Sequence, residues 1–287
     1  MNRVYLNGEF VERDAATVSA FDRGLLYGDG LFETVRAYGG VPFALNEHLD
    51  RMAASAAFLG IPFPGNAVLA EAVGKLIDRN GLADAYVRIT LTRGEHTGTL
   101  VPDPSARPTL LVEARPLQPY PDALYRHGAD VVISAHRHES SSPIRAHKTA
   151  NYLPNILAKQ EAAERGALEV VLLDPAGIVC ECATSNLFCV IDGVLHTPPL
   201  DLNILPGITR RTVMGLARKA GVDVREERFT ADILRSASEV FLTNSLMELL
   251  PVRSIAEAGQ FAVPAEICNA LHGAYRELVR SAVGAEG

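Results

Sequence analysis

The sequence lacks the features that mark a membrane-embedded or nucleic-acid-binding protein. No stretch approaches the ~18 continuous apolar residues that a membrane-spanning helix needs, and no block of like charge is present. With a net charge of −7 and an isoelectric point near 5.6, the chain offers no basic footprint for nucleic acid or for an anionic membrane surface. We therefore expect a small-molecule partner, and neither a nucleic acid nor a membrane.

Cysteine is scarce as well. The four cysteines, Cys180, Cys182, Cys189 and Cys268, lie mostly within apolar, strand-like sequence, and their spacing is not that of a zinc site. We interpret them as reduced, structural thiols. The N-terminal run 1–8 lacks the basic start and apolar stretch of a signal peptide, so we expect a cytoplasmic location.

A metal site is not expected elsewhere either. His136 and His138 are two residues apart, which is not the helical spacing of metal-binding histidines, and no convincing third ligand accompanies them. We therefore predict no metal and interpret residues 136–139 as a polar loop.

What the sequence does have is apolar content. Its 287 residues are 48% hydrophobic and 21% charged, enough for a large core and two medium domains. Helix and strand patterns alternate irregularly, with several hairpins, which predicts an α+β fold. The proline-rich stretch 115–121 reads as a connector, so we predict an N-terminal domain over 1–116, a connector over 117–121 and a larger C-terminal domain over 122–287.

Local patterns predict several individual elements. A hairpin over 31–45 places alternate residues on one face, and residues 86–92 alternate as a half-buried strand. Asn46 is a candidate helix N-cap. Further helices are predicted over about 150–165 and 209–220.

Lys148 is the first candidate for chemistry. It stands at the predicted entrance to the helix over 150–165, and burying an ammonium is costly unless it is paired or deprotonated. A solvated lysine is the other interpretation of this residue taken alone.

Glu181 and a group of phosphate-type donors accompany Lys148. Glu181 lies in an apolar strand-turn, either on an exposed strand face or as a carboxylate that keeps a pyridine nitrogen protonated. Ile208 and Thr209 at a predicted helix start, with their free N–H groups, suit a phosphate. Ser245 at a strand end and Arg51 on a helix could add a hydroxyl and a bidentate contact.

Taken together, these motifs resemble those of the class IV aminotransferases, the fold-type-IV pyridoxal-phosphate enzymes. The resemblance spans almost the whole chain, and six motifs occur in the expected order. The matching segments are 22–34, 47–52, 148–158, 181–188, 205–210 and 239–252.

The resemblance implies a two-domain α+β enzyme with pyridoxal 5'-phosphate between a small N-terminal and a larger C-terminal domain, and a homodimer. It implies that Lys148 forms the Schiff base, that Glu181 pairs with the pyridine nitrogen and that Tyr152 hydrogen-bonds the phenolic oxygen. Phosphate binding is assigned by the resemblance to Arg51, Ile208, Thr209 and Ser245.

The reaction within this family is ambiguous from sequence. Thr34 and the run 241–248 resemble 4-amino-4-deoxychorismate lyases, whereas Tyr27 and Tyr86-Val87-Arg88 resemble branched-chain aminotransferases. The carboxylate loop of D-amino-acid aminotransferases is missing from 93–98. We expect the lyase, with an aminotransferase acting on an amino acid or amine and a 2-oxo acid as the alternative. The substrate pocket is assigned to Tyr27, Phe32, Thr34, Arg36, Tyr86, Arg88 and Leu246.

Overall fold

The chain forms two compact units. The computed structural model describes residues 3–95, 98–103 and 105–286. Unit 1 comprises the described residues of Met1–Gln118, His147–Asn151 and Ser281–Gly287, and unit 2 comprises Pro119–Ala146 and Tyr152–Arg280. The domain boundaries given above remain a prediction about independently folding domains. Met1, Asn2, His96 and Thr97, which entered the sequence predictions, lie outside the described residues.

Unit 1 is built on a six-stranded antiparallel sheet in the order β2-β1-β6-β5-β3-β4. Its elements are β1 (Arg3–Leu6), β2 (Glu9–Glu12), a 3-10 turn (Arg13–Ala15), α1 (Arg23–Tyr27), β3 (Gly30–Tyr38), β4 (Val41–Pro42), α2 (Leu45–Leu59), α3 (Asn66–Asn80), β5 (Ala85–Thr92) and β6 (Thr109–Pro116).

Strict alternation in β5 explains how this sheet is packed. Ala85, Val87, Ile89 and Leu91 are fully buried, whereas the residues between them are half-buried. The buried set packs with apolar residues of α2 and α3 in one core, because successive strand residues point to opposite faces. The helices therefore cover one face of the sheet within unit 1, and the other face carries polar and aromatic side chains. The predicted strand over 86–92 is confirmed.

Unit 2 is built on a nine-stranded mixed sheet in the order β12-β11-β10-β13-β14-β7-β8-β9, with β15 paired to β14. Its elements are α4 (Asp122–His127), β7 (Ala129–Arg137), a 3-10 turn (Pro143–Ala146), α5 (Leu153–Glu164), β8 (Glu169–Leu173), β9 (Val179–Cys182), β10 (Asn186–Ile191), β11 (Val194–Thr197), a 3-10 turn (Leu200–Leu202), α6 (Ile208–Lys219), β12 (Val224–Glu226), α7 (Ala231–Leu234), β13 (Glu239–Asn244), β14 (Glu248–Ile255), β15 (Gly259–Gln260) and α8 (Glu266–Glu286), of which the residues up to Arg280 belong to unit 2.

Two strands at one end of the order in unit 2, β8 and β9, are buried along their whole length. Every residue of β8 and of β9 is buried, which is the pattern of strands covered on two sides. Apolar residues of α5 pack against one part of this sheet, and a second, larger core gathers residues of β13 and β14. Glu181 in β9 is therefore a carboxylate set in an otherwise apolar strand.

Three local predictions are wrong. Asn46 is not the N-cap of α2, because the helix begins one residue earlier, at Leu45, after Ala44 in a left-handed conformation with φ of 54°. The helix predicted from residue 150 begins at Leu153, where Pro154 suits the first turn. Residues 136–139 are not simply a polar loop, since β7 runs to Arg137 and His138 is fully buried.

The cysteines agree with the expectation of reduced structural thiols. All four are free and buried, and burial raises the pKa of the Cys180 and Cys189 thiols to about 12. Across the described ranges, no helix combines the length and the apolar character needed to cross a membrane.

Candidate active site

Lys148 is positioned by an extended segment that pairs with the edge of β3. The Phe32 N–H donates to the Lys148 carbonyl at 2.9 Å, the Ala150 N–H donates to the Gly30 carbonyl at 2.8 Å, and Leu31 faces Thr149 in an antiparallel bridge. This register sets Lys148 opposite Phe32. Because opposed residues of an antiparallel pair point to the same face, Lys148 is directed to the face of the sheet that α2 and α3 leave uncovered in unit 1.

The neighbours of Lys148 agree with this alternation. Its Nζ lies 4.6 Å from the centroid of the Phe32 ring. His147 points the other way, toward α2, where its Nδ1 is 2.9 Å from Ser55 Oγ and its ring stacks on Phe58. The sequence prediction of a helix entrance at Lys148 is thus replaced by a strand-like edge.

Gly28 anchors the far end of the same segment. Its φ of +66° is left-handed, and a Cβ there would come within 2.7 Å of Asn151 Oδ1. Asn151 in turn donates to the Gly28 carbonyl at 3.0 Å. Only glycine meets both requirements, so the turn after α1 fixes the segment that carries Lys148.

Beneath this face lies a buried group of charges. Glu33, fully buried on the helix side of β3, accepts from Arg51 Nε at 2.8 Å and Arg51 Nη2 at 2.7 Å. His48 Nδ1 lies 2.8 Å from Glu33 Oε2. Burial raises the pKa of Glu33, but the charge of Arg51 and the hydrogen bonds from His48 and Arg51 outweigh it and hold the pKa well below its usual range.

Arg51 is consequently held in a fixed orientation by Glu33. Its bidentate pairing is the strong form of an arginine–carboxylate contact. The structure shows this pairing in unit 1, and the assignment of Arg51 to phosphate binding remains a prediction.

The predicted substrate-pocket residues of β3 and β5 share the uncovered face. Thr34 pairs with Arg88, and Arg36 pairs with Tyr86. The Arg88 guanidinium lies 3.9 Å from the centroid of the Phe32 ring, and its Nε donates to Thr90 Oγ1 at 3.3 Å.

Two further aromatic rings on this face have an arginine guanidinium stacked over them. The Arg36 guanidinium lies 4.3 Å from the centroid of Tyr38, and that of Arg115 lies 4.0 Å from the centroid of Tyr86. Such stacking orients a guanidinium without neutralising it. Tyr27, at the end of α1, is 42% exposed and lies under the Arg23 guanidinium at 5.1 Å.

In unit 2, Glu181 is buried in β9 opposite Leu172 of β8. Its Oε2 accepts from the Leu205 N–H at 3.1 Å. His138 Nδ1 lies 3.9 Å from Glu181 Oε1. Glu181 is therefore on a buried strand, and the alternative of an exposed strand face is excluded.

Tyr152 stands at the start of α5, in the turn that leads into the helix. Its hydroxyl donates to the Ala183 carbonyl at 3.4 Å, and Asn155 Nδ2 donates to the same carbonyl at 2.7 Å. The ring is half-buried. Tyr152 and Asn155, at the beginning of α5, thus both donate to the turn that follows β9 and hold it in place.

Buried polar groups hold the two loops at the ends of β9 and β13. Thr184 Oγ1 donates to Glu169 Oε2 at 2.5 Å, and the Thr184 carbonyl accepts from Asn244 Nδ2 at 3.1 Å. Asn244 Oδ1 accepts from the Leu246 and Met247 N–H groups. The loop that carries Ser245 and Leu246, both half-buried, is therefore tied to the turn after Glu181.

The first turn of α6 lies against Asn186, the first residue of β10. A Cβ on Gly207 would meet Asn186 Oδ1 at 2.0 Å, Asn186 Nδ2 donates to the Leu205 carbonyl at 3.1 Å, and Asn186 pairs with Thr243 in the sheet. The absence of a side chain on Gly207 lets the first turn of α6, with buried Ile208 and Thr209, lie against β10.

These groups suit an anion. Gly207 is the N-cap of α6 and has no side chain that could accept from the N–H groups of the first turn. Thr243 Oγ1 is buried and, within the part of the chain that the structure describes, has no hydrogen-bond partner. A phosphate would satisfy such donors, and the donor set fits one.

Several residues that hold these groups in place within each unit were not singled out from the sequence, notably His48, Asn155 and Glu169. Glu33 could have been found. The alternation of β3 puts it among buried apolar residues, and a carboxylate there requires a partner. His48 and Arg51, three residues apart on one helix face, were the available candidates.

Known proteins share this fold. The branched-chain amino acid aminotransferase of Escherichia coli superposes with a TM-score of 0.91 at 31% identity, over 97% of this chain and 94% of that one. The T.th. branched-chain amino acid aminotransferase with pyridoxamine 5'-phosphate superposes with a TM-score of 0.91 at 32% identity, over the same shares. The fold is that of the fold-type-IV pyridoxal-phosphate enzymes.

The family follows from sequence as well. Residues 30–255 match the model of the amino-transferase class IV family. The chain therefore belongs to the class IV aminotransferases, whose cofactor is pyridoxal 5'-phosphate, and the resemblance described from the motifs is confirmed.

Similar proteins carry three different activities in their names. A putative branched-chain-amino-acid aminotransferase of Methanocaldococcus jannaschii is 42% identical over 255 residues, 88% of each chain. The aminodeoxychorismate lyase of Bacillus subtilis is 31% identical over 287 residues, 99% of this chain and 97% of that one. A D-alanine aminotransferase of Listeria monocytogenes is 36% identical over 257 residues, 88% of this chain and 87% of that one. These names favour the aminotransferase alternative over the expected lyase.

Proposed function

We propose that this protein is an aminotransferase that moves an amino group between an amino acid and a 2-oxo acid, with branched-chain L-amino acids as its substrates. The observation that carries the proposal is the common face of Lys148, Phe32 and Arg88 in unit 1. The similarity to a putative branched-chain-amino-acid aminotransferase at 42% identity supports it.

The uncovered face of unit 1 has the chemistry that such a substrate needs. Arg36 and Arg88 are stacked on rings, so they are oriented while keeping their charge for a carboxylate. Phe32, Tyr38 and Tyr86 supply aromatic surface for an apolar side chain. An amino acid with a branched aliphatic side chain offers both of these groups to one face.

Lys148 is the residue that handles protons at the reacting carbon. Its Nζ is on the same face as the arginines, and a neutral amine there can accept a proton from the substrate carbon and return it to another position. Bound pyridoxal phosphate supplies the electron sink for the charge that develops beside the substrate nitrogen.

Unit 2 supplies further side chains and backbone amides that would bind the cofactor. Glu181, fixed by the Leu205 N–H, pairs with the pyridine nitrogen and keeps it protonated. Tyr152 hydrogen-bonds the phenolic oxygen. The Ile208 and Thr209 amides and the hydroxyls of Thr209 and Ser245 would bind the phosphate, and Thr243 would add a further hydroxyl. For unit 1, the assignment of Arg51 to phosphate binding is proposed separately.

The lyase stays a second candidate because Thr34 and the loop 243–246 depart from the branched-chain aminotransferase pattern, and because the similarity to an aminodeoxychorismate lyase covers 99% of the chain. Both enzymes need Lys148 and Glu181. The residues around them, rather than the cofactor groups, distinguish the two reactions.

A substrate panel tests the proposal. The holoenzyme is incubated with 2-oxoglutarate and L-leucine, L-isoleucine or D-alanine, and in parallel with 4-amino-4-deoxychorismate alone. We expect glutamate from the two L-amino acids. Pyruvate and 4-aminobenzoate from the last reaction, without glutamate from any amino acid, would establish the lyase instead.

We also propose a homodimer in the cytoplasm. Apolar side chains are exposed on both units, with Leu25 at 70% and Leu153 at 63%. Large exposed apolar residues mark association surfaces when they are grouped. Light scattering on the eluting protein should give about twice 30.8 kDa, and a single-chain mass would contradict the dimer.

A further inference from the structure

His138 is a fully buried histidine beside the carboxylate predicted to hold the cofactor nitrogen. It follows β7, and its own N–H donates to the Leu173 carbonyl at 2.8 Å. Its Nε2 lies 3.0 Å from the Leu202 carbonyl oxygen. Because a carbonyl only accepts, Nε2 carries the proton in this contact.

The other ring nitrogen, Nδ1, faces two charged side chains. Arg145 Nη2 lies 3.5 Å away, and Glu181 Oε1 lies 3.9 Å away. In the neutral ring Nδ1 has a lone pair, which suits Arg145 as a donor but offers no hydrogen bond to the carboxylate. In the doubly protonated ring Nδ1–H becomes a donor, and the Glu181 carboxylate, 3.9 Å away, is a charged acceptor close to it.

The charged and titratable groups around this ring come from each neighbouring segment. Arg145 belongs to the 3-10 turn, Glu181 and Cys180 to β9, and Asp174 to the turn between β8 and β9. Asp174 Oδ1 accepts from the Ala176 and Ile178 N–H groups. Burial first, and the charge of Arg145 next, lower the pKa of His138, so the ring is neutral at neutral pH.

We propose that His138 is a positioning residue for Glu181, and that its protonation draws the carboxylate away from the cofactor nitrogen. The neutral ring leaves Glu181 to the cofactor, held by the Leu205 N–H. The charged ring donates Nδ1–H to Oε1 and competes for the same carboxylate. Acid therefore weakens cofactor binding through His138. The role of Glu181 in this inference rests on the proposed function.

The first experiment needs neither cofactor nor substrate. Imidazole NMR titration of the apoprotein gives the pKa of His138 in the wild type and in Glu181→Gln. An opposite charge within ~4–6 Å favours the protonated ring, so loss of the carboxylate should lower the pKa of His138 by about 1. An identical pKa in the two proteins would overturn the coupling.

The second experiment measures the dissociation constant of pyridoxal 5'-phosphate between about pH 7.5 and about pH 4.5, because the pKa of His138 lies below the ordinary histidine value of about 6.5. His138→Gln keeps a donor for the Leu202 carbonyl but cannot be charged. The matched control is His136→Gln, at an exposed position of β7 two residues before His138.

The wild type and His136→Gln should lose about tenfold more affinity than His138→Gln on acidification, the scale of one charge-assisted hydrogen bond. Equal losses in all three proteins would overturn the proposal. If His138→Gln does not fold, Arg145→Met replaces it. Removing that cation should move the loss of affinity to higher pH, and an unmoved profile would again contradict the proposal.

Failure of the proposed function has a different signature. If the NMR coupling is present but pyridoxal 5'-phosphate binds equally well to the wild type and to Glu181→Gln, then Glu181 is not the cofactor's partner. In that case the His138–Glu181 pair stands while the assigned role of Glu181 falls.

Discussion

The candidate functional groups of unit 1 and those of unit 2 are held by different kinds of interaction. Unit 1 uses charges, with Glu33 neutralised by Arg51 and His48, and with Lys148 and Arg88 over the ring of Phe32. Unit 2 uses hydroxyls, amides and backbone groups around two buried carboxylates, Glu181 and Glu169. Removing a group should therefore cost stability in unit 1 and cofactor affinity in unit 2.

The difference follows from where each group lies. A buried charge that loses its partner is strongly destabilising, since its desolvation is no longer compensated. A hydroxyl or N–H that awaits a ligand costs little or is already unsatisfied before the ligand binds. The following four substitutions test this contrast, from the largest expected effect to the smallest.

Lys148→Ala should reduce the rate of amino transfer by more than about a thousandfold, because the loss of a nucleophile has an effect of this order or larger. Steady-state assay of glutamate formation measures it. Lys75→Ala, at an exposed lysine paired with Glu71, is the matched control and should be fully active. An active Lys148→Ala enzyme would contradict the whole assignment.

Glu181→Gln should lower kcat by roughly a hundredfold, the scale of removing one preorganised electrostatic group. Glutamine keeps an acceptor for the Leu205 N–H, so the fold of unit 2 should persist. Stopped-flow measurement of the half-reaction separates this loss from weaker binding. Glu139→Gln, at an exposed position, should match the wild type.

Glu33→Gln should destabilise the protein by about 3 kcal/mol, because Arg51 and His48 lose their buried anion. Urea unfolding of the apoprotein measures this. Glu71→Gln removes an exposed pair and should leave the transition unchanged. If the two variants unfold alike, the charge-based description of unit 1 is wrong.

The same group predicts an acid dependence. The pKa of Glu33 is lowered in the folded state, so its contribution is complete above the unfolded value of about 4.3 and is lost as the pH falls below it. Burial lowers the pKa of His48 despite Glu33, so His48 adds a loss that begins below about 6.5. The wild type should therefore show two acid phases. Glu33→Gln should show a smaller lower phase, since the pKa values of other carboxyls such as Asp29 and Glu161 are also lowered.

Thr243→Val should have the smallest effect and an informative sign. It removes a buried hydroxyl that has no hydrogen-bond partner within the described ranges, so the apoprotein should become more stable by up to about 1 kcal/mol. Cofactor affinity should fall severalfold if the hydroxyl binds the phosphate. A destabilised apoprotein with unchanged affinity would show that the hydroxyl has a structural role instead.

Sequence reasoning succeeded where a local pattern determines the result. The alternation of residues 86–92 placed Arg88 and Tyr86 on one face, and the motifs around Lys148 and Glu181 identified the family. The helix predicted over about 209–220 is confirmed as α6, and Gly221, which follows it, takes the left-handed φ of 77° that favours glycine at a helix end.

Predictions from sequence failed where contacts between distant segments determine the local structure. The pairing of residues 148–150 with the edge of β3 is a long-range hydrogen-bond pattern, so Lys148 was assigned to a helix entrance. The burial of His138 depends on Leu202 and Arg145, which no local spacing connects to it. The reaction preference rested on a few pocket residues of β3 and the loop 243–246, whose effect depends on the substrate and not on the fold.

The most direct test of Lys148 as the Schiff-base lysine is to trap the cofactor on it covalently. The chain has only four lysines, Lys75, Lys148, Lys159 and Lys219, so the holoenzyme can be reduced with borohydride, digested and mapped by mass spectrometry without ambiguity. We expect one pyridoxyl-phosphate group per chain, on Lys148. A stoichiometric label on any other lysine, with Lys148 unmodified, would contradict it.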